Sequence, residues 1–330
     1  MPWIDMLNAR HSPFKVHAYF QQLLLLTLLV LLVVFLCTQS DAFFTARNWI
    51  NIFNNHMAHQ LLLAIGMTFV ISSGGLDLSV GSNLALSGIL MSFLLKASLP
   101  IPLCVAFGLA SATAMGVANG VLVSNFKINP LIITLGTASV FSGIGLIITR
   151  GTPIYQMPLA FTRIAKYTLF GLPLPIILSA AALVLGVLLL NRTRWGQYTL
   201  TLGSNEKALG RIGVNVKAHK TSVYAFSGLI AGVASVIITA RMNVAEATAG
   251  RGMEMDAIAA VVMGGTLLSG GKGTLLGTAI ACLLLSVMKN GLTMMSINAH
   301  YQTFIIGAIL LLAVIMTDLQ QRSFRRKNRA

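Results

Sequence analysis

Charged residues are scarce in this chain of 330 residues. Asp, Glu, Lys and Arg make up 9% of the sequence, whereas a soluble globular protein carries about 25%, because its surface must be hydrated. So few charges cannot cover a soluble domain of this size, and 56% of the residues are hydrophobic. The composition therefore predicts an all-α integral membrane protein whose outward surface faces lipid.

Cysteine is rare as well, with three residues in the chain. Cys37, Cys104 and Cys282 lie inside apolar runs and form no CxxC pair, which indicates small core residues rather than a disulfide framework. His56 and His59 are three residues apart, but no third ligand is evident, so a packing or interfacial role is favoured over a metal. We expect no metal and no cofactor.

Motifs of enzymatic chemistry are missing from the sequence. There is no GxxxxGK[ST] phosphate-binding loop, no HExxH metal motif and no GxSxG nucleophile elbow. The chain is therefore predicted to have no catalytic residues and no ATP site of its own.

Acidic residues are the scarcer of the two charge types, and the formal net charge is +15. The basic residues flank apolar segments instead of gathering into a soluble domain, which argues against nucleic acid as a partner and favours membrane lipid. The first apolar run, residues 23–37, follows Arg10 and Lys15 but precedes no small-x-small cleavage site. We therefore expect it to be a retained helix rather than a signal peptide.

The apolar residues fall into segments along the whole chain. Several are shorter than the about 20 residues that cross a ~30 Å hydrocarbon core, which is typical of buried, tilted or broken helices. They lie at residues 20–38, 58–72, 82–96, 102–124, 131–149, 173–190, 221–241, 256–268, 274–290 and 302–318.

Lysine and arginine indicate the orientation of these segments. With a cytoplasmic N-terminus, most of the 23 basic residues fall on the cytoplasmic side. We predict one transmembrane domain over residues 1–330, with about ten transmembrane helices and both termini in the cytoplasm. Its cytoplasmic parts are an N-terminal segment at 1–19, a loop at 191–220 and a basic tail at 319–330.

Two glycine-rich stretches break the apolar pattern in a similar way, and we call residues 71–82 and 263–274 the first and second broken segments. Each precedes an apolar helix pattern, and matching interruptions in two halves point to an internal repeat. The positions singled out are Gly74, Gly75, Asp77, Ser79 and Gly81 in the first, and Gly264, Gly265, Gly270 and Gly271 in the second.

Other glycines are typical of close helix packing. Gly116 lies with Gly108 and Gly120 on one apolar segment, and Gly228 and Gly232 form a GxxxG spacing on another.

Asp77 is the acidic residue that the sequence places deepest in an apolar region. A carboxylate at membrane depth is costly and is a candidate functional group. Two roles remain open: a structural one, in which Asp77 accepts hydrogen bonds at the N-terminus of the following helix, and a proton relay. Glu254 and Asp256 are expected to cap a later helix in the same structural way.

The loop at 191–220 contains a candidate short helix. Ser204 or Asn205 can cap its N-terminus and Gly213 can end it. Ala208, Leu209 and Ile212 are predicted to share one side. Because so short a helix is unstable alone in water, it needs a surface to dock on, and the alternative is a solvated basic connector held by anionic lipid.

Three stretches of the sequence resemble one family, the ribose-type permeases of ABC importers. They are residues 64–82, residues 254–273 and the loop blocks between 192 and 216, and the resemblance covers about residues 45–318. Ser73, Leu76 and Met255 depart from commoner residues, which fits a less typical substrate as well as ribose.

This resemblance implies a subunit of the bacterial inner membrane that forms a homodimeric or heterodimeric pore. It implies a cytoplasmic ABC ATPase, a periplasmic sugar-binding protein and a second permease copy or paralogue as partners, with selectivity mainly in the binding protein. The short helix becomes the coupling helix that docks on the ATPase. The residues assigned to coupling are Asn205, Glu206, Lys207, Ala208, Leu209, Arg211 and Gly213.

A different class is also open, a secondary transporter driven by ions through an embedded carboxylate such as Asp77. The lack of a convincing carboxylate–cation constellation in the sequence disfavours it.

Overall fold

Helices form where the sequence is apolar, because a helix satisfies its own backbone hydrogen bonds without water. The computed structural model describes residues 13–126 and 128–298, with isolated positions at 301, 304, 305, 307, 308 and 311. Its helices are α1 Pro13–Gln39, α2 Ala46–Asn51, α3 Ala58–Ser72, α4 Val80–Lys96, α5 Ile101–Asn125, α6 Pro130–Thr149, α7 Leu159–Lys166, α8 Leu174–Arg192, α9 Arg194–Ser204, α10 Glu206–Arg211, α11 Val216–Met242, α12 Met253–Met263 and α13 Leu275–Met294.

In the described part of the chain, six helices are long and apolar enough to cross a bilayer: parts or all of α1, α5, α6, α8, α11 and α13. The shorter α3, α4 and α12 carry the apolar segments next to the two broken segments. All the predicted apolar segments except 302–318 therefore overlap helices, although the segment 256–268 continues past the end of α12 at Met263. Most of the segment 302–318 lies outside the described residues.

The predicted terminal segments are only partly described. Residues 13–19 belong to α1, whereas 1–12 and the predicted tail at 319–330 lie outside the described residues. The predicted all-helical membrane class is confirmed, while the number of ten spans and the side of each terminus stay predictions.

Sheet structure is limited to two pairs of two-residue strands in the described residues. Strands β1, Ile154–Tyr155, and β4, Val244–Ala245, pair antiparallel, and β2, Thr168–Leu169, forms a hairpin with β3, Leu172–Pro173. The β1–β4 pair follows directly on the C-terminus of α11, and the β2–β3 hairpin precedes α8 at the end of that helix opposite the 191–220 loop.

A π-helical turn, Ile52–Met57, joins α2 to α3. The Arg241 guanidinium near the end of α11 donates a hydrogen bond to the carbonyl of Asn55 inside this turn. This contact ties the end of α11 to the turn.

Helix α11 packs most closely on α5, and glycines permit the approach. A Cβ added at Gly116 would lie 3.0 Å from the Cα of Gly228 and 2.4 Å from the carbonyl oxygen of Tyr224. Across the same interface, a Cβ at Gly232 would meet Ala112. The predicted role of these glycines in helix packing is confirmed, because no larger side chain fits between the two backbones.

Helices α6 and α8 keep large apolar side chains on the surface. Ile147 is 77% exposed and Val184 is 59% exposed. On a soluble protein such a surface would be an aggregation hazard, whereas on this chain it is the surface that meets lipid.

Candidate functional site

The first broken segment begins with a regular helix ending. Helix α3 closes at Ser72, and Gly74 adopts the left-handed conformation with φ of 81°. The amide of Gly74 donates to the carbonyl of Ile71 at 2.9 Å and that of Gly75 to the carbonyl of Val70 at 3.0 Å. These two bonds form a Schellman motif, which requires glycine at the left-handed position and stops the helix there.

The second broken segment begins in the same way. Helix α12 ends at Met263, and Gly265 is left-handed with φ of 94°. Its amide donates to the carbonyl of Val262 at 3.0 Å, and the amide of Thr266 donates to that of Val261 at 3.2 Å. The two breaks therefore share a local geometry, while an internal repeat over both halves stays a prediction.

Asp77 holds the turn after the first helix ending. It is 1% exposed, and its Oδ1 accepts from the amide of Ser79 at 3.0 Å and from the hydroxyl of Ser79 at 2.6 Å. The hydroxyl of Ser227 on α11 approaches Oδ2 at 3.5 Å. Asp77 therefore binds the turn before α4 instead of capping α4 itself: the N-cap position is Ser79, and α4 has no side-chain cap. The proton relay stays a prediction that these contacts do not test.

Several residues that the sequence did not single out hold this turn from other helices. Asn119 on α5 donates to the Ser79 hydroxyl at 2.6 Å. On α11, the Tyr224 hydroxyl donates to the carbonyl of Leu76 at 3.2 Å. Thr134 on α6 accepts from the amide of Leu78 at 3.1 Å. The first broken segment is thus hydrogen-bonded to three helices that come much later in the chain.

The second broken segment is closed by its own threonine. Thr274 donates through its hydroxyl to the carbonyl of Gly264 and through its amide to the Thr266 hydroxyl at 3.2 Å. Within the loop, the amide of Leu267 donates to the carbonyl of Lys272 at 3.2 Å, and burial lowers the pKa of the Lys272 ammonium. The loop is therefore a compact turn rather than an open connector.

Glu254 and Asp256 do not cap α12 as expected. The N-cap residue is Gly252 and no side chain caps the helix. Glu254 instead accepts from the amide of Gly252 at 3.2 Å, and Asp256 forms an ion pair of 2.5 Å with Lys289 on α13. The expected capping is wrong because a cation on a neighbouring helix, 33 residues later, reaches the Asp256 carboxylate.

Gly81 marks a close approach between the N-terminal ends of α4 and α12. A Cβ added at Gly81 would lie 2.3 Å from the carbonyl oxygen of Gly250 and 2.5 Å from Oε2 of Glu254. Glycine is therefore required at this position by space, not by backbone conformation.

The short helix predicted in the 191–220 loop is present as α10. The side chain of Asn205 accepts from the amide of Ala208 at 3.0 Å, which is a regular N-cap. Gly213, with φ of 84°, follows the helix end. Leu209 is fully buried but Ile212 is 67% exposed, so the predicted shared side is wrong for Ile212. The chain has already left the helical conformation at that C-cap position.

An ion pair holds α10 against the beginning of α11. Lys220 donates to both carboxylate oxygens of Glu206 at 3.0 Å. Lys207 and Arg211 on the same helix are exposed. Helix α9, which precedes α10, is anchored by Trp195, whose indole donates to Ser222 at 2.8 Å and whose ring packs on Phe69.

The two broken segments and the loop meet at one place. Gly203, at the end of α9, lies against Gly74 of the first broken segment and Gly270 of the second. The amide of Gly271 donates to the carbonyl of Ser72 at 2.9 Å. Beside them lies a cavity of about 260 Å³. Its lining includes Gly74, Gly203, Ser269, Tyr224 and the Glu206–Lys220 pair.

The family model described as "Branched-chain amino acid transport system / permease component" matches residues 53–314, which includes both broken segments and the loop. The chain belongs to this family. It is therefore a transport permease and not an enzyme, and a multi-pass protein of the inner membrane.

Several curated relatives of this permease are sugar permeases by name. The ribose import permease protein of Bacillus subtilis (strain 168) is 37% identical over 87% of this chain and 90% of its own length. The protein of the same name from Escherichia coli (strain K12) is 37% identical over 91% and 94%. The D-allose transport system permease protein of Escherichia coli (strain K12) is 34% identical over 88% and 90%. No solved structure matches the permease.

Proposed function

We propose that this permease forms the membrane pore of an ATP-driven importer for a monosaccharide, ribose or a similar simple sugar. The observation that carries the proposal is the similarity to ribose permeases over about nine-tenths of both chains. The proposal names a sugar because the more similar relatives are named for ribose and allose, although the family model is described by amino acid transport.

The proposed partners follow from the similarity to importer permeases and, for the ATPase, also from what the chain lacks. It contains no phosphate-binding loop, so a separate cytoplasmic ABC ATPase has to supply the energy. A periplasmic sugar-binding protein delivers the substrate, and a second permease copy or a paralogue completes the pore. The proposed topology has ten spans with both termini in the cytoplasm, on the same side as α10.

Helix α10 is the proposed coupling helix that docks on the ATPase. It is short, it is capped at Asn205 and ended before Gly213, and it is tied to the permease by Leu209 and by the Glu206–Lys220 pair. Lys207 and Arg211 remain exposed for a partner. These features support a rigid element that moves with the ATPase, rather than a solvated connector.

Uptake by the reconstituted complex tests the function. The permease is placed in proteoliposomes with its ATPase and binding protein, and accumulation of labelled ribose and allose is measured with ATP inside the vesicles. ATP-dependent accumulation of one of these sugars is expected. Accumulation driven by a proton or sodium gradient, with no ATPase present, would contradict the proposal and favour the ion-coupled class.

Two variants test the coupling assignment in the same vesicles. Gly213→Val forces a β-branched residue into a left-handed conformation, and the double variant Glu206→Ala, Arg211→Ala removes both charges at the ends of α10. Both are expected to lower uptake while membrane insertion and ATP hydrolysis continue. Lys166→Ala, on the exposed side of α7 far from the loop, is the matched control. Unchanged uptake in both variants would contradict the assignment.

A further inference from the structure

Five glycines meet where the end of α9 touches both broken segments. We call Gly74, Gly203, Gly270, Gly271 and Gly273, together with the serines that they contact, the glycine junction. It brings together three stretches of the chain that are each separated from the next by more than sixty residues in sequence. The sequence marks Gly74, Gly270 and Gly271 as parts of two separate helix breaks, and the structure places them against one another and against Gly203.

Gly203 is the centre of the junction. A Cβ added there would lie 2.1 Å from the carbonyl oxygen of Ser72 and 2.4 Å from the amide of Gly271. Both atoms are backbone and already hydrogen-bonded to each other at 2.9 Å, so they cannot yield to a side chain without separating the two broken segments.

Gly270 and Gly271 complete the contact from the second broken segment. A Cβ at Gly270 would lie 2.8 Å from the Cα of Gly74 and 2.9 Å from that of Gly203. Gly271 approaches Ser204 in the same way. Both glycines have a positive φ, at 81° and 82°, so both conformation and space require glycine.

The junction lies next to the coupling helix in the chain. Gly203 and Ser204 end α9, and the next residue, Asn205, is the N-cap of α10. Helix α9 is continuous, and Trp195 anchors its other end. The Glu206–Lys220 pair lines the neighbouring cavity, so this part of α10 and α11 borders open space, whereas the contacts at Gly203 leave none.

We propose that the glycine junction transmits displacement of the coupling helix to both broken segments at once, with Gly203 as the positioning residue. Backbone packed on backbone without side chains acts as a stiff link, because there are no rotamers to absorb the movement. Both helix breaks, and therefore α4 and α13 that follow them, move together with α9. This inference rests on the proposed coupling role of α10.

The first test compares two glycine-to-alanine variants in proteoliposomes with the ATPase and the binding protein. Gly203→Ala is expected to lower uptake about tenfold or more, because a misplaced link of this kind costs that much, while ATP hydrolysis continues. Gly136→Ala is the matched control, since a Cβ at Gly136 on α6 has no neighbour within 4 Å, and it should transport normally. Normal uptake by Gly203→Ala would overturn the proposal.

A second measurement uses the wild-type protein and covers the case in which Gly203→Ala fails to fold. Hydrogen exchange of the Gly271 amide, which donates to the Ser72 carbonyl at 2.9 Å, is followed in the complex without nucleotide and with a non-hydrolysable ATP analogue bound to the ATPase. If the junction moves as one unit, this amide stays protected from exchange in both states. Loss of protection in either state would show that the two broken segments separate, and it would overturn the proposal.

The outcomes separate this inference from the proposed function. If the wild-type complex shows no ATP-dependent uptake, the proposed function fails first. If the Glu206→Ala, Arg211→Ala variant uncouples but Gly203→Ala does not, the coupling helix stands and the transmission through the junction is wrong.

Discussion

Asn119 donates a hydrogen bond of 2.6 Å to the hydroxyl of Ser79, which in turn donates to Asp77 at 2.6 Å. The three residues form a series of hydrogen bonds in which the Asn119 amide donates to Ser79 and the Ser79 hydroxyl donates to Asp77. This series connects α5 to the first broken segment in a region where all three side chains are buried. A buried polar group that loses its hydrogen-bond partner lowers the stability of the fold. Substitutions of these three residues therefore test whether the hydrogen bonds form.

Asn119→Ala is expected to lower the free energy of unfolding by about 1–3 kcal/mol, because the Ser79 hydroxyl then loses its buried donor. Thermal unfolding of the purified permease in detergent measures the change. The double variant with Ser79→Ala should cost less than the sum of the single variants, since both remove the same bond. Additive costs would show that the two residues do not interact.

Asp77→Asn should preserve the fold and ATP-driven uptake, because an amide oxygen can still accept from the Ser79 amide and hydroxyl. Asp77→Leu should destabilise the protein, since it leaves both Ser79 donors without an acceptor in a buried site. Uptake of sugar by the two variants, compared with their yield and thermal stability, makes the distinction. A well-folded Asp77→Asn protein without transport would favour the proton-relay role.

The Asp256–Lys289 pair should stabilise the contact between α12 and α13. Each side chain is less than a quarter exposed, so Asp256→Ala or Lys289→Ala leaves a poorly hydrated charge and should cost about 1–3 kcal/mol. Exchanging the residues, Asp256→Lys with Lys289→Asp, should recover part of this loss. If the exchange is no more stable than the single variants, the pair contributes little.

Gly116→Val should separate α5 from α11. The added side chain meets the carbonyl of Tyr224 and the Cα of Gly228, and overpacking of this kind costs about 1–3 kcal/mol. Gly143→Val on α6 is the control, because a Cβ there has no neighbour within 4 Å. The temperature of thermal unfolding should fall markedly for Gly116→Val and little for Gly143→Val. Equal shifts of this temperature would contradict the packing role of Gly116.

Local features of the site could be predicted from the sequence, and distant contacts could not. The Asn205 cap and the end of α10 at Gly213 depend on residues within four positions of each other, and both formed as predicted. The partner of Asp256 is 33 residues away, and the donors to Leu76 and Ser79 come from α11 and α5. No local pattern marks such pairs, so the capping roles expected for the acidic residues failed.

The membrane class, the positions of the helices and the places where they break were determined by the sequence alone, because apolar length and glycine placement act over a few neighbouring residues. Only the tertiary structure decided two further features. The Ser79 hydroxyl is shared between Asp77 and Asn119, and Gly203 meets Gly74 and Gly270. Such contacts depend on how separate helices pack, and packing is a property of pairs of surfaces that no single stretch of sequence contains.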